Sequence, residues 1–342
     1  MSSGFSFDFL PGEQDEEKNQ STSTAAINST NKNSVESNTF RWCTDLDSKF
    51  DEALKRINLA EYDRIPISDS VDIKRVRENE YTPTNLQNTD LIPGYYEGGL
   101  KVWECSVDLC RYLQENNVPI QGYVLELGCG HGLPGCWVLK QMSEQKSLTD
   151  DGKEMMDTDA QKVDEYSPPR NCQLSGLIFS DFNEFVLNNV TIPNILLNSA
   201  KKVDDSTNDF SRLSRHVALG FGDWNDMSDQ LLSSSCGSDF PPSVPNDGKF
   251  ELILAAETTY SSTAASDTAR LLAKHLRKSS GVAFIATKRY YFGVGGGSDT
   301  LKAALTAASL PNNINFNVET VMVYDNGAGN IRELLKVQAL SR

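Results

Sequence analysis

The chain has 342 residues, 39% of them hydrophobic, enough for one buried core with extensions or for two domains. Its 47 Asp and Glu against 32 Lys and Arg give a net charge of −15. That excludes nucleic-acid binding driven by phosphate neutralisation and suits a basic partner.

The opening MSSGFSFDFLPGEQDEE has neither the basic start nor the apolar run of a signal peptide. No stretch approaches the ~18 apolar residues of a membrane span. Residues 11–40 are rich in Glu, Asn, Ser and Thr, so residues 1–44 read as a disordered tail. Phe5, Phe7, Phe9 and Leu10 form an apolar cluster ahead of it, suited to docking or to folding back. From Asp45 the spacing Leu46, Phe50, Leu54, Ile57 fits one helix face and predicts a helical extension over 45–90. The organised domain spans 91–342. Strands are expected at Tyr123–Leu127, Gly176–Ser180, Val217–Phe221, Glu251–Ala256 and Gly281–Ala286, with helices between them. Thr268, Leu271, Leu272, His275 and Leu276 share one helical face. This alternation implies an α/β fold with a mainly parallel sheet. Phe316–Tyr324 and Ile331–Leu340, joined through Asp325-Asn326-Gly327, read as a terminal β-hairpin with an Asn-Gly turn. Residues 141–170 and 225–249 are polar and read as inserted surface loops. Residues 1–40 and 141–170 each carry −4, so −7 belongs to the remainder, and the core is acidic too.

The seven cysteines, Cys43, Cys105, Cys110, Cys129, Cys136, Cys172 and Cys236, include no CxxC pair. With three histidines they predict reduced thiols and no metal site. His131 is expected in solvent and His275 in the core. Chemistry concentrates in Val124-Leu125-Glu126-Leu127-Gly128-Cys129-Gly130-His131-Gly132-Leu133-Pro134-Gly135, a strand running into a glycine loop and a helix. Glycines allow positive φ and close backbone approach to a ligand. A dinucleotide site shows GxGxxG; here the second spacing is one, and Glu126 suits a ligand carrying an ammonium group. A tight turn without ligand is the plain alternative. Asp181, in Phe179-Ser180-Asp181-Phe182-Asn183, stands at a strand end where an acid holds ribose hydroxyls or caps a helix. Gly222-Asp223-Trp224 offers an aromatic and an acceptor for an adenine, or a core Trp. Glu257 and Tyr260 end the fourth strand, where ligands of open α/β sheets sit; capping by Thr258 or Thr259 is the competing role. Gly94–Ser106 is a lid or a cap on the sheet. Lys288–Gly297, with Tyr290, Tyr291 and Phe292, suits a substrate rim or a mobile loop.

Taken together, the GxGxG loop, Asp181, Gly222-Asp223-Trp224 and Glu257-x-x-Tyr260 resemble the seven-β-strand methyltransferases, family sixteen. Tyr96-Glu97-Gly98-Gly99-Leu100-Lys101-Val102-Trp103-Glu104-Cys105-Ser106, Leu127–Gly135 and Tyr291-Phe292-Gly293-Val294-Gly295-Gly296-Gly297 are similar to the eukaryotic protein-histidine N-methyltransferases. The resemblance covers about residues 90–340. It implies a Rossmann-like seven-β-strand sheet of order 3-2-1-4-5-7-6, strand seven antiparallel. It implies S-adenosyl-L-methionine as cofactor and one histidine of the third large-subunit ribosomal protein as substrate, methylated at the tele nitrogen. A role in ribosome assembly or translation follows from the same resemblance. The family's cofactor contacts carry over to Val102, Trp103, Glu104, Cys105, Ser106, Gly128, Asp181, Phe182, Asn183, Gly222, Asp223 and Trp224. They also include the position of Ala256, where family members can have serine. Glu126 and Gly130 join them from the loop. Glu257 is assigned as acceptor of an imidazole N–H, and Tyr260, Tyr290, Tyr291 and Phe292 as substrate rim. The expected protein is a monomer, with no membrane or direct nucleic-acid partner. Cytoplasmic and nuclear location is expected, any nuclear or nucleolar pool resting on the resemblance alone. The runner-up is a protein-lysine methyltransferase of the same family. A non-catalytic ribosome-assembly module is a third reading, and a nicotinamide oxidoreductase is disfavoured by the loop spacing and the hairpin.

Overall fold

The computed structural model describes residues 39–57, 61–77, 86, 89–92, 94–147, 172–199, 210–233, 240–309, 311, 313–325, 327 and 329–341. The Phe5–Leu10 cluster, most of the tail and most of the 141–170 insertion lie outside them. In chain order come β1 (Arg41–Trp42), α1 (Leu46–Arg56), β2 (Asp63–Pro66), β3 (Asp72–Arg75), α2 (Glu104–Glu115), β4 (Ile120–Leu127), α3 (Leu133–Ser147) and β5 (Cys172–Asp181). A continuous helical run follows: α4 (Glu184–Val186), a π-helical turn (Leu187–Thr191) and α5 (Ile192–Asn198). Then come α6 (Ser211–Ser214), β6 (Val217–Phe221), α7 (Trp224–Leu232), β7 (Leu252–Ala256), α8 (Ser262–His275), β8 (Val282–Lys288), α9 (Ser298–Ser309), β9 (Ile314–Asp325) and β10 (Ile331–Ser341).

One sheet takes the order β1-β6-β5-β4-β7-β8-β10-β9. The strands from β6 to β8 are parallel, and β10 lies antiparallel between β8 and β9. Counted from β4 as strand one, and setting β1 aside, this is 3-2-1-4-5-7-6. The parallel strands are covered on both faces, which is why each reads as a short unbroken apolar run. On one face Leu109, Trp137 and Val190 pack against Val124, Phe179 and Leu254. On the other, Met227, Leu272 and Leu301 pack against Leu125, Ile253 and Ile285.

Four sequence expectations change. Residues 39–44 are not tail: β1 pairs antiparallel with the β6 edge, and Phe40 is buried. A Cβ on Gly220 would come within 2.2 Å of the Phe40 ring, so this glycine is the ring's seat. A two-residue strand held by one buried ring leaves no compositional trace. Second, among the described residues of the 45–90 extension the one α-helix is α1, where Asp45 Oδ1 accepts from Ser48 N at 3.3 Å. It continues as the β2–β3 hairpin. Asn198 and Asn194 of α5 hold that hairpin, accepting from Lys74 N at 2.9 Å and Val76 N at 2.8 Å. Third, helices enter both polar insertions: α3 runs to Ser147 and α7 to Leu232. Fourth, residues 326–330 join β9 to β10, with Gly327 and Gly329 at φ 72° and 83°, a longer connection than a two-residue Asn-Gly turn.

Candidate active site

At the end of β4, Gly128, Gly130 and Gly132 all take positive φ, at 56°, 49° and 66°. Side chains rarely tolerate that region. A Cβ on Gly128 would lie 3.0 Å from Thr258 Cγ2, and one on Gly130 would lie 3.0 Å from the Gly99 carbonyl. The loop is therefore pressed between the end of β7 and residues 98–100. Glu126 is buried beneath it, its Oε2 accepting from Gly135 N at 2.7 Å in the first turn of α3. Burial holds this carboxyl well above the usual carboxylate range. At the end of β5, buried Asp181 accepts from Gly130 N at 2.9 Å and Asn183 N at 3.0 Å. Burial raises its pKa to about 6 despite those donors.

A cavity of about 680 Å³, open mouth included, lies at the carboxyl ends of β4, β5 and β7. Of the expected contacts, Val102, Trp103, Ser106, Glu126, Gly128, Gly130, Asp181, Phe182, Trp224 and Ala256 line it, with Glu257 and Tyr260. Glu104, Cys105, Asn183, Gly222 and Asp223 stand behind the wall and hold it. Glu104 Oε2 accepts from Asn330 Nδ2 at 2.8 Å and Arg332 Nη1 at 3.1 Å. Arg332 also donates to Asp108 at 2.6 Å, which ties α2 to β10. The Cys105 thiol is pushed well above its ordinary value by burial, then by the Glu257 charge. Gly222 N donates to Asp181 O at 3.1 Å. Asp223 caps α7, its Oδ1 accepting from Asn225 N at 2.7 Å, so that oxygen is committed to the helix.

The 94–106 segment is a tied wall. Trp103 Nε1 donates to Gly98 O at 2.9 Å, Asn183 Nδ2 to Tyr95 O at 2.7 Å, and Lys101 pairs with buried Asp90. A Cβ on Gly99 would lie 2.8 Å from Val186 Cγ1. His131, expected in solvent, is buried instead. Its Nδ1 accepts from Asn194 Nδ2 at 3.1 Å, and its Nε2 donates to Leu100 O at 2.9 Å. Burial lowers its pKa to about 4, so it is a neutral strut between α5 and the wall. Nothing in a loop histidine's neighbours along the chain signals this. His275 is in the core, bridging Gly248 O and Ser228 Oγ, both at 2.8 Å.

The opposite end of the cavity is Glu257. It is 9% exposed and held at φ 60°. Its Oε2 accepts the Tyr291 hydroxyl, the buried Cys105 thiol lies against the same carboxylate, and its buried Oε1 has no N–H or O–H donor among the described residues. Thr258 Oγ1, also on the lining, is likewise without a partner there. Sequence reasoning treated Thr258 only as a cap. Tyr260 faces Glu97, and its hydroxyl is pushed up by burial and then by the Glu97 charge. Glu97 is exposed as a residue, yet it lines the cavity, where desolvation raises its carboxyl. Tyr290 and Phe292 are 57% and 83% exposed and lie off the cavity lining. Tyr291, expected on the rim, is buried at 4%. Among the described residues no group of three His, Cys, Asp or Glu could hold a metal ion, and no helix is long and apolar enough to cross a membrane. A cavity lined by carboxylates beside glycine backbone suits a ligand with hydroxyls and positive charge better than a pyrophosphate.

The strand order, with its antiparallel β10 and the glycine loop after the first parallel strand, defines a methyltransferase-like α/β fold. No known family model matches the chain. It is 33% identical over 255 residues to the histidine protein methyltransferase 1 homolog of Dictyostelium discoideum, covering 74% of this chain and 61% of that protein. It is 29% identical over 264 residues to the homolog of Bos taurus, covering 73% and 58%. To histidine protein methyltransferase 1 of Schizosaccharomyces pombe it is 29% identical over 228 residues, covering 60% and 56%. The chain spans about three fifths of the length of these curated relatives. Among solved structures, the ribosomal protein L11 methylase of Lactobacillus delbrueckii aligns at a TM-score of 0.38 and 14% identity, over 81% of this chain and 100% of that one.

Proposed function

We propose that the protein is an S-adenosyl-L-methionine-dependent protein-histidine N-methyltransferase. Its substrate is one histidine of the third large-subunit ribosomal protein, methylated at the tele nitrogen, in support of ribosome assembly or translation. The observation that carries this is one cavity with the glycine loop and Asp181 at one end and the partnerless Glu257 oxygen at the other. The donor set fits the cofactor. Gly128 and Gly130 let the loop backbone pack against Thr258, Trp224 and Gly99 at the cavity wall, where a Cβ would crowd them. Asp181 accepts ribose hydroxyls, Trp224 offers a face for the adenine, and acidic lining favours cationic groups. When bound, the cofactor supplies a methyl group already activated by a sulfonium.

The chain therefore needs to align a neutral nucleophile and keep water away. A histidine with a reference pKa near ~6.5 is mostly neutral at pH 7, whereas a lysine near ~10.4 is not. Glu257 Oε1 accepts one ring N–H, which fixes the tautomer and bares the other nitrogen. The same oxygen takes the proton that the ring sheds once methylated. The net charge of −15 favours a free basic ribosomal protein over the same protein covered by rRNA.

The test is incubation with methyl-labelled cofactor and the free ribosomal protein, with the label mapped by peptide fragmentation. Label on one histidine ring is the expected result. Label on lysine establishes the runner-up, and no label despite cofactor binding refutes this substrate. Faster methylation of intact ribosomes than of free protein contradicts the charge argument.

A further inference from the structure

Tyr291 is the one aromatic of the 290–292 cluster turned into the protein. Its phenol oxygen receives Lys288 N at 3.4 Å and shares the Thr287 hydroxyl proton, at 3.3 Å, with the Lys288 carbonyl at 3.2 Å. Thr259 Oγ1 meets that Thr287 hydroxyl at 2.6 Å. A phenol has one proton and two acceptor positions. Lys288 N occupies one acceptor position, and the phenol proton goes to Glu257 Oε2. The loop carrying Tyr291 is held by close packing: a Cβ on Gly296 would lie 2.1 Å from Thr259 O, and one on Gly297 would lie 2.1 Å from Arg289 O. Glu257 itself sits at φ 60°, a strained region for a non-glycine residue that persists where the surroundings over-determine it. A buried carboxylate oxygen with no partner, on a cavity wall, asks for a donor from the ligand.

We propose that Tyr291 is a positioning residue: it locks the Glu257 carboxylate so that Oε1 faces the cavity, accepts one ring N–H of the substrate imidazole and decides which nitrogen is methylated. This rests on the histidine reading above. The lock also has a directional consequence. In Glu257→Gln, Tyr291 holds the amide oxygen and turns the amide NH2 to the cavity. A donor then stands where an acceptor is needed.

The experiment compares wild type, Tyr291→Phe, Glu257→Gln and the double variant with labelled cofactor and the free ribosomal protein. Hydrolysed product is resolved into the two methylhistidine isomers and methyllysine. Wild type gives a single methylhistidine isomer. Tyr291→Phe is about 10-fold slower in kcat with the cofactor KM unchanged, and it yields both isomers. Glu257→Gln loses about 100-fold. The double variant is faster than Glu257→Gln alone, because the freed amide can flip; a merely structural Tyr291 would give additive losses. Without turnover, free imidazole titrated into the protein and followed by tryptophan fluorescence binds Glu257→Gln more weakly than wild type. A Tyr291→Phe enzyme with wild-type rate and one isomer overturns the proposal, as do additive losses in the double variant. Thermal unfolding identifies a folding failure. In that case Thr287→Val, which removes a donor to the phenol, takes the place of Tyr291→Phe with the same isomer readout. Methyllysine or no label from wild type refutes the histidine reading itself, which separates that failure from failure of the lock.

Discussion

Replacing Asp181 by Asn keeps the shape of the side chain and removes its charge at the point where the glycine loop meets β5. In the wild-type protein the buried carboxylate accepts from Gly130 N and Asn183 N. Burial still raises its pKa from the ordinary 3.8 to about 6. Because the folded value is the raised one, the group favours folding below pH 3.8, and that contribution is lost as the pH rises through about 6. The full difference is roughly 3 kcal/mol. An amide does not titrate, so the stability of Asp181→Asn relative to wild type should improve by up to roughly 3 kcal/mol between pH 4 and pH 7.5. Cofactor binding moves the other way. A hydroxyl bonded to a charged acceptor contributes ~1.5–3 kcal/mol, so the variant should bind S-adenosylmethionine ~10- to 100-fold more weakly at pH 7.5. Wild-type affinity should fall as the pH drops below about 6, and the variant's should not. Urea unfolding across that pH range and calorimetric titration at pH 5.5 and 7.5 measure both quantities. A stability difference independent of pH, or an unchanged affinity, would refute the reasoning.

Gly130→Ala should weaken cofactor binding by at least ~10-fold in the same titration, because φ 49° costs a side chain about 1 kcal/mol and the new Cβ meets the Gly99 carbonyl at 3.0 Å. Phe40→Ala should lower stability by about 3 kcal/mol in urea unfolding, since it empties the seat over Gly220; a loss under 1 kcal/mol would return residues 39–43 to the tail. Asp108→Ala leaves buried Arg332 with Glu104 as its remaining carboxylate and should cost about 3 kcal/mol. The same change should raise the cofactor KM, because α2 carries Ser106 on the cavity wall and Trp103 immediately precedes it.

The parallel strands were legible because each lies between two covered faces and must be apolar along its length; Val217–Phe221 was placed to the residue. The glycine loop was legible because three positive-φ turns in five residues leave little choice of residue type. Asp181 was legible from its place at a strand end, where the sheet itself opens a crevice. The rest depended on contacts between distant segments. Phe40 is core because Gly220, far along the chain, makes room for it. His131 is neutral and buried because Asn194 and the Leu100 carbonyl close over it. Tyr291 left the rim for the interior because Gly296 and Gly297 let its loop press against Thr259 and Arg289.

By itself, then, the sequence determined the sheet, its closing hairpin and the glycine-loop end of the cavity, since those follow from backbone conformation and local burial. The tertiary structure alone decided how the Glu257 end is held. Glu257 and Tyr291 sit on separate strand ends, and the orientation of a carboxylate is set by the donors that surround it in space. No spacing along the chain encodes that one oxygen is engaged by the Tyr291 phenol and the other is not.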